Sequence, residues 1–178
     1  MRRKRRNLNL NSNSRRNKAK INVGDLIVVV IFMIGFGLAS IIGHQIFTDI
    51  NTDIQADASI GAEAKEASSN LQDRYPKVLD GAFLLAVGLF WIFLIISSFM
   101  IDTHPIFFVV SIVLVIGTLI ASSMLANVYE EVIGDSELST YAEDFPVTNW
   151  FNGHLLLIAI AMGFSVVIAL YGKSKFGV

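Results

Sequence analysis

Residues 26–47 read LIVVVIFMIGFGLASIIGHQIF, with no Lys, Arg, Asp or Glu among them. A helix rises about 1.5 Å per residue, so this run alone can cross a hydrocarbon core about 30 Å thick. Three more runs follow at 79–101, 106–127 and 154–171, with Asp80, at the edge of the second, as their only charge. A soluble core helix would be shorter and would keep a polar face. The expected fold is therefore all-α: an integral membrane protein of four transmembrane helices. Composition agrees, with 53% hydrophobic residues against only 16% charged ones.

Around these runs the 178 residues divide into a basic arm (1–24), a four-span membrane domain (25–172) with long loops at 48–78 and 128–153, and a short basic tail (173–178). The first twenty residues carry Arg2, Arg3, Lys4, Arg5, Arg6, Arg15, Arg16, Lys18 and Lys20, and the tail adds Lys173 and Lys175. Only Lys65, Arg74 and Lys77 lie elsewhere, whereas all acids but Asp25 and Asp102 sit in or beside the two long loops. The excess of Lys and Arg predicts that both termini lie on the cytoplasmic side, or inside an enclosed particle. Four spans also require the termini to share a side. The basic stretch is too long, and the first apolar run too span-like, for a cleavable signal peptide. With no cysteine, disulfides, thiolate metal sites and thiol nucleophiles are excluded.

Local chemistry places the helix ends. Asp25 precedes the first apolar residue, where a carboxylate caps free N–H groups, and Asp80 can do the same for span two. Asp102-Thr103-His104-Pro105 reads as a tight hairpin between spans two and three. Thr148 or Asn149 can cap span four, and Trp150, Phe151 and Tyr171 fall where an aromatic belt would lie. In the first long loop, apolar residues recur every three or four positions. Span one is therefore expected to continue as a helix, break near Ser59-Ile60-Gly61 and fold back to span two. In the second, a short helix from Asp135 or Ser136 through Tyr141 is expected to end at Phe145-Pro146.

Small residues suggest packing faces. Gly35, Ala39 and Gly43 repeat every four positions in span one, Ala161, Ser165 and Ala169 in span four, and Gly117 and Ala121 form a pair in span three. Such stripes let backbones approach in lipid, where hydrophobicity does not drive association. Span two is bulkier, with Phe83, Phe90, Trp91, Phe93 and Phe99, and is expected to face lipid or a partner.

Candidates for chemistry are few. His44 and His154 fall near the same ends of their spans, and two facing histidines can ligate a haem iron, but no third feature supports haem. Asp135-Ser136-Glu137 lacks the alternating ligands of a calcium loop. A coupled transporter would carry an ionisable group at mid-bilayer, where these spans offer only serines. No hydrolase triad, phosphate loop or metalloprotease helix is present. The reading therefore names no catalytic residue, metal or cofactor.

The arm is the remaining signal. Its six arginines and three lysines exceed what orientation needs, and its composition is that of a disordered segment. Two polyanions suit it. Anionic lipid attracts a juxtamembrane basic cluster, and DNA or RNA attracts it through phosphate contacts.

The stretches at 101–108 (IDTHPIFF), 127–131 (NVYEE) and 145–150 (FPVTNW) resemble small membrane proteins encoded by viruses and phages. The resemblance covers residues 101–178 and transfers no catalytic residue. In viruses with an internal lipid membrane, such proteins lie between capsid and genome. It implies a non-enzymatic structural protein of a virion membrane, passing through the host inner membrane during assembly. The basic arm would then face the genome and the acidic loops the capsid. An accessory subunit of a cellular membrane complex and a holin-like pore-former are the alternatives.

Overall fold

The computed structural model describes residues 25–100 and 105–176. The arm (1–24), the link 101–104 and the last two residues lie outside them, and so do the expectations that fall there. Six helices follow in order: α1 (Asp25–Ala56), α2 (Ala62–Met100), α3 (Pro105–Ile133), α4 (Ser139–Ala142), α5 (Pro146–Gly153) and α6 (Leu155–Phe176). No strand occurs among the described residues. Four of these helices are long and apolar enough to cross a membrane: α1, α2, α3 and α6.

The four spans form a rhombus in cross-section. α1 packs along α2, α2 along α6, α6 along α3 and α3 along α1, while α1 and α6 also touch across the short diagonal. This places α2 and α3 at opposite corners and makes α1 and α6 the most enclosed spans. The largest fully buried side chains include Leu26, Met33, Ile41, Phe83, Tyr129, Leu155 and Met162. Phe83 thus turns inward, against the expectation for span two, while Phe90, Phe93 and Phe99 face outward as expected.

Register is fixed by a few contacts. Gly163 of α6 lies against Leu26 and Val115, and eleven residues further along α1, Gly37 lies against Thr148, Asn152 and Tyr129. Phe32 packs on Phe90, Phe36 on Phe83 and His44 on Tyr75, so α1 and α2 run antiparallel. The apolar runs of α2 and α6 therefore begin near the height of residues 34–41 of α1, whereas the apolar run of α1 continues to Phe47. Its upper part has Tyr75, Tyr141 and Phe145 as neighbours, and together they form a cap above the bundle.

α1 does run on beyond its apolar stretch and stops at Ala56; residues 57–61 turn, and α2 starts at Ala62, as the first-loop pattern predicts. Asp57 makes the turn by accepting the Ser59 N–H at 2.8 Å and the Ser59 hydroxyl at 2.7 Å. These bonds hold its carboxyl below the ordinary carboxylate range. Two antiparallel helical extensions result, joined by a polar zipper. Asn51 donates to Gln72, Gln72 to Thr48 at 3.1 Å, and Lys65 Nζ to the Gln55 carbonyl at 2.7 Å.

The second loop departs from expectation. Its short helix spans only Ser139–Ala142, and Pro146 opens a new helix instead of ending one. Proline suits a first helical turn because the N–H it lacks has no partner there anyway. α5 therefore intervenes before span four, and Thr148 and Asn149 lie inside α5 rather than capping α6.

Candidate functional site

The densest polar cluster lies where α5 meets the bundle. Asp80 is buried in α2, 6% exposed, with no cation among the described residues paired to it. Its Oδ2 accepts the Val147 N–H at 2.9 Å, and its Oδ1 accepts the Thr148 N–H and Thr148 Oγ1, each at 2.7 Å. These are the first free N–H groups of α5. The carboxylate thus caps a helix 67 residues away in sequence, not its own. Phe145, the residue at the normal capping position, has no side-chain hydrogen bond to offer. Desolvating a carboxylate is costly, and here three donors and the positive end of the α5 dipole offset that cost.

Around this contact each polar group ties two elements together. Asn152 Nδ2 donates to the Met33 carbonyl of α1 at 3.3 Å. Tyr129 of α3 donates its hydroxyl to Asn149 Oδ1 at 2.6 Å, and Asn149 Nδ2 donates to the Ala142 carbonyl of α4. Gly37 makes the approach possible. A Cβ there would stand 2.5 Å from Asn152 Nδ2, 3.0 Å from Thr148 Cγ2 and 3.2 Å from Tyr129 Cε2. Asp80, Thr148, Asn152, Tyr129 and Gly37 form a clamp that seats the cap on the spans.

A second contact holds the loop before α5. His44, only 4% exposed, shares a 3.0 Å hydrogen bond between Nε2 and Asp144 Oδ2. Its ring stacks on Tyr75 and meets Tyr141 and Phe145 edge to face, at centroid separations of 5.8 Å. A cleft of about 310 Å³ opens beside it, lined by His44, Gln72, Asp73, Pro76, Lys77 and Asp144. His154 is exposed, stacks on Trp150 and bonds to the Trp150 carbonyl at 2.8 Å. Seven positions separate His44 from Gly37, which is level with Asn152, so the two histidines differ in height by roughly 10 Å. They do not face each other.

The small-residue faces divide. In α6, Ala169 is buried and Ala161 and Ser165 are half-buried, with Ser165 Oγ bonded to the Ala161 carbonyl at 2.8 Å. In α3, Ala121 is half-buried, but Gly117 faces outward with nothing within 4 Å of a Cβ. In α1, Gly35 and Ala39 are exposed, and only Gly43 meets a neighbour, the Tyr75 hydroxyl. Two helical residues turn about 200°, so Gly37 lies on the opposite face from Gly35. The face carrying Leu26, Met33, Ile41 and His44 packs inward, and Gly35 and Ala39 of the predicted α1 stripe point away from the bundle.

Among the described residues no three His, Asp or Glu side chains converge as a metal site would require. Asp135 of the second loop spends its Oδ1 on the Glu137 N–H at 2.9 Å. The protein is a four-span α-helical membrane bundle with a folded cap seated by a buried carboxylate. No protein-family model, curated protein or solved structure matches the chain.

Proposed function

We propose that this chain is a non-enzymatic structural membrane protein that links a polyanion under one membrane face to protein partners over the other. The observation that supports the reading is the separation of charge along the sequence. The cap exposes twelve carboxylates, those of Asp49, Asp53, Asp57, Glu63, Glu66, Asp73, Glu130, Glu131, Asp135, Glu137, Glu143 and Asp144, against Lys65, Arg74 and Lys77. Nine of the other eleven cations belong to the arm. The buried polar side chains Asp80, Thr148 and Asn152 seat the cap, a use that suits a scaffold. On this reading the arm lies inside and binds genomic nucleic acid or anionic lipid, while the acidic cap meets capsid or membrane proteins. The setting is the membrane of a virus particle.

Both halves can be tested on the full chain. In sealed vesicles, single cysteines at Ser12 and Ser139 should label from opposite sides, with Ser139 reached from outside. In nanodiscs of neutral lipid the protein should retain DNA of any sequence. If the arm neutralises about six phosphates, log K should fall with log salt at a slope near −5. Changing Arg2, Arg3, Arg5 and Arg6 to Gln should flatten that slope. Ser12 labelled from outside, or no DNA retention at moderate salt, would overturn the genome-facing role.

A further inference from the structure

Four large apolar side chains are left open on the extension of the α1–α2 hairpin: Ile46 at 54%, Ile50 at 49%, Leu71 at 60% and Val78 at 65% exposure. Lipid tails do not reach most of them. Phe47 stacks on Tyr75 and Asn51 bonds Gln72, so Ile46 and Ile50 stand at the height of Asp73, Arg74 and Lys77. That height is above Leu79, where the apolar run of α2 begins. The four residues also share one side. Leu71 and Val78 lie roughly 160–180° around α2 from Asp80, and Ile46 lies about 160° around α1 from His44. Asp80 and His44 hold the cap, so Ile46, Ile50, Leu71 and Val78 form the back of the hairpin, which nothing among the described residues covers.

We infer that this back face is the contact surface of a homodimer whose two-fold axis stands along the membrane normal. The same face names its partner. Asp49 flanks it on α1 and Arg74 flanks it on α2, both exposed and neither in an ion pair among the described residues. Asp49 lies between Phe47, level with Tyr75, and Asn51, level with Gln72, so it shares the height of Arg74. A two-fold axis along the normal keeps heights and exchanges flanks, bringing Arg74 of each copy to Asp49 of the other. An isologous interface needs this self-complementarity, and a foreign partner would not. Burying the apolar residues provides the main driving force, with the rim charges fixing register. Below them Ala39 and Gly35 continue the same side of α1 and let it approach α2 of the other copy within the bilayer.

The absence of native cysteine makes the test direct. In membranes holding the full chain, Ile50→Cys should oxidise to a covalent dimer. Glu131→Cys, exposed on α3 across the bundle, should give at least tenfold less. Asp49→Arg should lower the Ile50→Cys yield several-fold, and adding Arg74→Asp should restore it. All these positions are exposed, so unchanged circular dichroism and tryptophan emission will show that the variants fold. Photobleaching of singly labelled chains in dilute proteoliposomes should show two steps. Equal yields at Ile50 and Glu131, a yield that falls in proportion to dilution in lipid, or a crosslink to a protein of different mass would each overturn the dimer.

Discussion

Replacing Asp80 tests whether the cap is seated by a buried carboxylate. Asp80→Ala leaves three donors without an acceptor: the Val147 N–H, the Thr148 N–H and the Thr148 hydroxyl. Thr148 is fully buried, so water cannot readily replace the lost partner. Leaving a buried donor unsatisfied costs about 1–3 kcal/mol each, and relief of the carboxylate's own desolvation returns part of the total. A net loss of about 2–4 kcal/mol follows. Asp80→Asn keeps one acceptor oxygen for Thr148 but turns an amide N–H toward Val147, so about 1–2 kcal/mol should be lost. By the scaling for chains of this size, Asp80→Ala should lower Tm by roughly 5–15 °C in detergent. Hydrogen exchange should accelerate in α5 before it does in α1 or α6. A double-mutant cycle with Thr148→Val should give coupling of about 1 kcal/mol, since both remove the same hydroxyl bond. A Tm within two degrees of wild type for Asp80→Ala, or a larger loss for Asn than for Ala, would refute the clamp.

Three further outcomes follow from the same geometry. Gly37→Ala drives a methyl into Asn152 and Thr148 and should cost about 1–3 kcal/mol in thermal unfolding, whereas Gly117→Ala, with open space around it, should be neutral or stabilise by up to about 1 kcal/mol. His44→Phe fills the aromatic pocket but loses the bond to Asp144; limited proteolysis between α3 and α5 should quicken, and Asp144→Asn should do the same to a smaller degree. Asp57 holds a proton less readily when folded, so its contribution to the turn is present above the ordinary carboxylate range and lost as pH falls from there through its lowered folded value. Amide exchange at Ser59 and Ile60, corrected for intrinsic rates, should therefore rise in acid, and Asp57→Asn should remove that pH dependence.

The spans were legible because bilayer thickness imposes a length, and an uncharged run of that length has few other uses. The break after Ala56 was legible for a similar reason, since a polar turn interrupts a helical period. Packing faces were less so. In span one the stripe Gly35, Ala39, Gly43 and the stripe through Gly37 are both compatible with close approach. Only the partner residues Asn152, Thr148 and Tyr129 decide between them, and they are more than 90 residues away. Asp80 shows the same limit. Its identity and place beside an apolar run suggest a cap, but sequence alone assigns the cap to the nearest helix start. Proline at 146 was the one local signal of α5, since it opens helices as readily as it ends them.

The long apolar run of α1 explains why cap and spans form one body. The runs of α2 and α6 begin near the height of residues 34–41 of α1, so at least the last six positions of the α1 run, 42–47, stand above them. This upper part is buried on one side, where Ile41 and His44 supply the floor of the cap against Tyr75, Tyr141 and Phe145. One helix thus crosses the boundary without a break and belongs to both cores. The clamp at Asp80 and the bond at His44 then act on a rigid support. Lifting the cap would expose Ile41 and Phe145 to water as well as break polar contacts, and hydrophobic burial makes that the larger cost. The acidic surface of the cap is therefore held at a fixed height and orientation relative to the spans.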